Sequence, residues 1–400
     1  MTGLSKARLA RLDQVMAGHV ESGYLAGAVA LVSRGSDEHV HVSGAKKLGG
    51  DEPMRRDTIF RIASLTKLVT AVATMMLVEQ CQLRLDDPVD NWLPELAGRR
   101  VLRAPDGPVE DTVPAARPIT VRDLLTFQCG YGQAFGMDPS TPIQRAIADL
   151  EIAGFGPPKE QKQYAPDEWL SRLGTLPLMH QPGEGWLYNL GSYILSALVP
   201  RVVSQPFDVF LRERVFEPLG MPDTSFFVPD DKLDRLAYAY LGEEDGGLRP
   251  HDGIEDSLFR APPVFPDGGG GLVSTVDDLH QLGRLLLGFG RVGDRRLLAR
   301  PTVELMVTDH QSAAMKPRID FFPGYFDSHG WGLGLAVTTA RRDLAGTPGR
   351  FGWDGGHGTS LWVDPAEDLI GILLTQRAGF PPAMASYNDF WTGAYQAIDD

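Results

Sequence analysis

Cysteine is nearly absent: Cys81 and Cys129 are the only two in 400 residues. Two cysteines give neither a disulfide framework nor a zinc-type ligand spacing. Positive charge is also short, with 38 Lys and Arg against 52 Asp and Glu and a net charge of −14. Nucleic-acid and anionic-membrane surfaces need clustered cations, so neither partner is expected. The apolar run from Leu68 to Val78 falls short of the ~20 residues a membrane span needs. The opening Met1-Thr-Gly-Leu-Ser-Lys-Ala-Arg is charged and amphipathic, without the apolar core and cleavage site of a signal peptide. The expectation is a cytoplasmic protein. His39 and His41 form a His-x-His pair, but no His-Glu-x-x-His and no carboxylate-rich set accompanies it, so no metal is expected.

What is present begins with a core: 43% of the chain is hydrophobic, enough for two or three domains by length. The chain is organised around Arg61-Ile-Ala-Ser64-Leu-Thr-Lys67 and the apolar run behind it. Positions i and i+3 share a helix face, so the Ser64 hydroxyl and the Lys67 amine can meet. A run apolar on all sides reads as a buried helix. Burial lowers a lysine pKa, and such a lysine can take a proton from a neighbouring serine. A second Ser-x-x-Lys, Ser43 to Lys46, follows an alternating stretch and precedes glycines. It reads as a strand end, and the motif alone does not separate the two serines.

Residues 5–22 carry an amphipathic helix, and 27–33 with 38–43 a hairpin. Thr120 and Asp123 form a capping box. Segment 130–166, dense in Gly, Pro and aromatics, reads as an irregular lid or specificity element. Tyr188 precedes the helical run 192–199; it either points its hydroxyl into a cleft or packs as core. A further helix is expected from Pro206 to Gly220. Gly268–Gly271 precede a helix opened by Ser274, Asp277 and Asp278. Carboxylates there would repel a phosphate, so a close-packed turn is expected and not a nucleotide site. Strands are expected at 332–339, 359–364 and 368–375, and a final helix at roughly 383–398. Strands near both ends with helices between them suggest one sheet assembled from both termini.

Four boxes in this order resemble the serine β-lactamases and penicillin-binding proteins, and most closely the family VIII carboxylesterases. They are Ser64-Leu-Thr-Lys67; Pro182-Gly183, Trp186 and Tyr188; Gly268–Thr275; and Trp353-Asp354-Gly355 leading into Gly356-His357. The resemblance runs from Gly27 to about Gln376. It implies an α/β, β-lactamase-like fold: an antiparallel sheet built from both chain ends, flanked by helices, with an inserted mainly helical lobe. The corresponding domains are 1–80 with 270–400, and 81–269. Two departures bear on substrate choice. The tyrosine box reads Tyr188-Asn189-Leu190 in place of Tyr-Ser-Asn, and Asp354 stands where esterase-like members commonly carry glycine.

The mechanism so implied is acyl transfer through an ester of Ser64, with no cofactor. Lys67 and Tyr188 would manage the proton, either serving as base, with Lys67 stabilising ionised Tyr188. The backbone N–H groups of Ser64 and Gly356 would form the oxyanion hole. Trp353, Gly355, His357 and Asn189 would line the substrate, although His357 in a Gly-rich turn reads equally as a surface residue. Tryptophan carries no positive charge to pair with a substrate carboxylate, which favours uncharged esters, short-chain or bulky, over carboxylate-bearing lactams or peptides. A β-lactamase, a D-amino-acid amidase or peptidase, an acyltransferase and a penicillin-recognising binding module remain open. The Gly-x-Ser-x-Gly elbow of α/β-hydrolases is absent.

Overall fold

The computed structural model describes residues 3–133, 138–152, 164–319, 321–380 and 384–400. Residues 134–137 and 153–163, within the lid expected at 130–166, lie outside the described residues.

A seven-stranded antiparallel sheet forms the centre. Its strands are β1 (Gly27–Arg34), β2 (Asp37–Gly44), β3 (His329–Trp331), β4 (Ala336–Thr338), β5 (Phe351–Gly355), β6 (Thr359–Asp364) and β7 (Leu369–Thr375). The spatial order is β3-β4-β5-β6-β7-β1-β2. The N-terminal hairpin thus joins strands from the C-terminal quarter, with Ala28 opposite Thr375 and Ser33 opposite Ile370. Strand β1 is buried throughout and β2, at the edge, is mostly not. Their sequences show why: Ala-Val-Ala-Leu-Val against Asp-Glu-His-Val-His.

Both sheet faces are covered. Helices α1 (Lys6–Glu21) and α5 (Ala385–Gln396) pack together, and Trp391 of α5 fills the space left at Gly371 of β7. Successive strand residues face opposite ways. Accordingly Ile370, beside Gly371, packs on the other face against Gly283 of α4 (Val276–Leu287). Helix α2 (Thr66–Glu79) is almost wholly buried and contacts α3 (Leu190–Val203). No single helix among the described residues is long and apolar enough to cross a membrane.

Three local expectations change. Of the strand expected at 332–339 only 336–338 forms, as β4, because Gly332 and Gly334 (φ +84°) turn the chain between it and β3, which ends at Trp331. Gly332 also lies against the Met306 carbonyl, where a side chain has no room. The helix expected from Pro206 to Gly220 runs 207–219 with a π-turn at Arg212–Phe216. The α4 cap is Thr275, whose hydroxyl accepts from the Asp278 N–H. The Thr120–Asp123 capping box forms as expected.

Candidate active site

Ser64 stands in a 3-10 turn, Ala63–Leu65, immediately ahead of α2. Ala63 has φ +46°, a left-handed conformation that costs a non-glycine residue roughly 1–3 kcal/mol. The turn is braced from both sides. Thr66 donates its hydroxyl to the Ala63 carbonyl at 2.7 Å, and Thr359 of β6 donates to the Ile62 carbonyl at 3.0 Å. Gly355 at the end of β5 backs onto that same carbonyl, and a Cβ there would overlap it. The strand therefore approaches Ser64 only because residue 355 has no side chain.

Lys67 Nζ lies 2.9 Å from Ser64 Oγ, and Tyr188 OH also lies 2.9 Å from it. The lysine is 1% exposed. A second Lys67 N–H meets the Gly269 carbonyl, and the ammonium nitrogen sits 4.7 Å from the centre of the Tyr188 ring. Burial pulls the Lys67 pKa down to about 7, against the opposing pull of Asp267. Burial raises the Tyr188 pKa, while its hydrogen bond with Ser64 and the one it accepts from Trp353 act against it. Burial therefore works against the ionised Tyr188 that the sequence suggested. In a dry site the phenol keeps its proton and the amine is the group most easily left neutral.

The second Ser-x-x-Lys does not assemble. Ser43 is on β2 and bonds His41 at 3.0 Å, while Lys46 turns to Glu52 at 2.7 Å. His39 and His41 both meet Asp13, at 2.7 and 3.2 Å.

The family model described as Beta-lactamase matches residues 12–395. The chain belongs to the beta-lactamase family. An uncharacterized protein of Mycobacterium tuberculosis is 40% identical over 363 residues, 89% of this chain and 87% of that protein. Esterase EstB of Burkholderia gladioli is 31% identical over 92% of this chain and 90% of its own. Among solved structures, EstCE1, titled a hydrolase with promiscuous acyltransferase activity, superposes with a TM-score of 0.78 at 25% identity, over 98% of each chain. These relatives place the chain in a beta-lactamase-fold serine hydrolase family that includes esterases and acyltransferases.

The other residues picked from the sequence fall into place unequally. Trp353 is buried and donates its indole N–H to Tyr188 OH at 2.9 Å. Its donor is thus committed to the tyrosine. Asp354, the next residue on the strand, faces away. It accepts from Ser360 (2.6 Å), Trp362 (2.9 Å) and Tyr387 (3.2 Å), and burial raises its pKa to about 6. This departure from the family box is a buried polar node behind the sheet. Gly356 has open space above its Cα, and its carbonyl accepts from the Gly379 N–H at 2.9 Å. His357 turns towards His251, ring centres 6.3 Å apart, and burial takes its pKa down to about 3. No hydrogen bond or ring contact joins His357 to Ser64, Lys67 or Tyr188 among the described residues. Asn189 has φ +104°, and its buried Oδ1 has no hydrogen-bond partner among the described residues.

Two contributors were missed. Asp267 precedes the glycine run; its carboxylate accepts from the Gly269 N–H at 2.6 Å and acts electrostatically on Lys67. Burial raises its own pKa. The only sequence signal was an acid next to four glycines. The other is aromatic: Phe321 packs against Tyr188 (5.9 Å), Trp186 (5.2 Å) and Trp353 (6.3 Å). Nothing in the sequence around Phe321 pointed to the site, since its contacts with Trp186 and Tyr188 span more than a hundred residues.

Proposed function

We propose that this chain is a serine esterase that cleaves small uncharged carboxylic esters through an acyl-Ser64 intermediate. The observation carrying the reading is the placement of Ser64 Oγ at 2.9 Å from both Lys67 Nζ and Tyr188 OH. A neutral Lys67 uses one N–H on the Gly269 carbonyl and keeps its lone pair for the serine proton. As Ser64 attacks the ester carbon, that proton passes to Lys67. Tyr188, held protonated by burial, hands its proton to the leaving alkoxide and is reprotonated through Lys67. Water repeats the sequence to release the acid. The Ser64 and Gly356 N–H groups stabilise the oxyanion, each worth about 10²–10³ in turnover.

Substrate choice follows from the walls. Trp186, Phe321 and Trp353 crowd Tyr188, and neither the Trp353-Asp354-Gly355 box nor its aromatic neighbours supply a cation for a substrate carboxylate. That supports esters over penicillins or D-alanyl peptides. Asn189 Oδ1, buried without a partner among the described residues, supplies an acceptor for a polar group on the substrate. A p-nitrophenyl ester, a chromogenic cephalosporin and a D-alanyl amide, compared for turnover, test the reading. The ester is expected to be cleaved and the other two spared, and Ser64→Ala to lose about 10⁴-fold or more. Efficient lactam or amide cleavage without ester cleavage overturns it.

A second reading, transfer of the acyl group to an alcohol, draws on relatives. A Monascus pilosus protein named acyltransferase mokF is 29% identical over 76% of this chain. Aromatic walls that exclude water favour an alcohol acceptor. Product analysis with an added alcohol separates ester exchange from hydrolysis.

A further inference from the structure

Five residues along β7 from Thr375, which bonds the Gly358 carbonyl near the Ser64 turn, stands Ile370, the cross-strand partner of Ser33. At ~3.3 Å per strand residue, Ser33 is about 16 Å from that end of the sheet. Its hydroxyl lies 2.9 Å from His280 Nε2 of α4. On the other side of the ring, His280 Nδ1 lies 3.4 Å from Glu38 Oε2 of β2. Glu38 is the direct cross-strand neighbour of Ser33, and Arg56 holds its other oxygen at 2.6 Å. Serine, imidazole and carboxylate are thus in the order in which a base activates a nucleophile and an acid orients the base.

These three side chains line one open cavity of about 470 Å³. Ser33 and His280 are each 8% exposed. Burial lowers the His280 pKa, with Arg284 and Arg56 reinforcing it and Glu38 and Asp277 opposing it, so the imidazole is neutral and able to accept a proton. Arg284 and Arg291 are also on the cavity wall, and neither guanidinium enters an ion pair among the described residues. Asp37 and Asp368 complete the polar rim. The aromatic walls around Ser64 have no counterpart here.

We propose that Ser33, His280 and Glu38 form a second nucleophilic site, separate from Ser64, that takes small polar acyl esters. Ser33 Oγ bonds to the ester carbonyl carbon while its proton moves to His280 Nε2. The carbon–alkoxide bond then breaks, and His280 returns the proton to the departing alcohol. Water, deprotonated by His280, releases the acid and restores the serine. Glu38, 3.4 Å from Nδ1, sets its charge against the ring and stabilises the imidazolium as it forms, and Arg284 supplies positive charge at the cavity where the oxyanion develops.

The test uses a small alkyl fluorophosphonate on the full chain, read by intact mass and peptide mapping. The wild type is expected to take two adducts, Ser64→Ala one at Ser33, and Ser64→Ala/Ser33→Ala none. Adding His280→Ala to Ser64→Ala is expected to slow Ser33 labelling about 100-fold or more. Ser33→Ala alone is expected to leave Ser64 labelling intact, which also certifies the fold. A folded Ser64→Ala protein without an adduct overturns the proposal, as does Ser33 labelling indifferent to His280. Labelling at Ser33 without labelling at Ser64 would instead sink the acyl-Ser64 reading and leave this one standing.

Discussion

Trp353 Nε1–H donates to Tyr188 OH at 2.9 Å, and the same phenol lies 2.9 Å from Ser64 Oγ. The tryptophan thereby acts on the nucleophile through the tyrosine, making it a positioning residue. Trp353→Phe keeps an aromatic ring against Phe321 and Trp331 but deletes the donor. The expected result is about a tenfold loss in kcat with KM little changed, the rate equivalent of one hydrogen bond. Because this donor lowers the tyrosine pKa, the variant should also keep Tyr188 protonated to higher pH. A KM-dominated loss in steady-state ester kinetics would instead place Trp353 against the substrate.

The pH dependence should be governed by Lys67. Its pKa falls to about 7 through burial, and only the neutral amine can accept the serine proton. Ester kcat/KM is therefore expected to rise with pH through about 7. Asp267 pulls the lysine the other way, so removing its charge should lower that pKa further. Asp267→Asn keeps an oxygen for the Gly269 N–H and deletes the charge. Its rising limb is expected on the order of one pH unit lower, measured as a full kcat/KM–pH profile beside wild type.

How much of this was legible depended on the range of the interaction. Ser64 and Lys67 are three residues apart, and helix geometry alone brings them together; Thr120 and Asp123 were readable for the same reason. Tyr188 was legible as part of an ordered set of boxes, although its own surroundings favoured a core role. Asp267, Phe321 and the bond from Trp353 to Tyr188 depend on packing between distant segments, which leaves no local periodicity. Asp354 misled because a strand alternates faces: adjacent to the site in sequence, it belongs to the other side of the sheet. The break between β3 and β4 was hidden because Gly-Leu-Gly-Leu alternates as a strand does, while the Met306 carbonyl that demands glycine is remote.

Gly355 carries a prediction about distance. The Ile62 carbonyl and the Thr359 hydroxyl occupy the position a Cβ would take. Gly355→Ala must push β5 from the 3-10 turn that holds Ser64. A displacement near 1 Å between nucleophile and oxyanion donors costs ~10²-fold. The expectation is a kcat/KM loss of that order with a far-ultraviolet circular dichroism spectrum like that of wild type.

Arg61, three residues before Ser64, offers a test of what holds the turn in place. Its guanidinium meets Asp252, the Gly253 carbonyl at 2.9 Å and Ser257 Oγ at 3.1 Å, and both charged side chains are 3% exposed. Truncating one partner of such a pair leaves the other charge buried, costing about 3–5 kcal/mol, whereas replacing both by apolar groups is often neutral. Arg61→Met is therefore expected to lower the urea midpoint markedly, and Arg61→Met/Asp252→Leu to recover much of the loss. Recovery would show that the pair's chief contribution is to satisfy its own charges. Failure to recover would show that the arginine's bonds to the Ala237 and Gly253 carbonyls hold the chain entering Ser64, and activity should then fall along with stability in both variants.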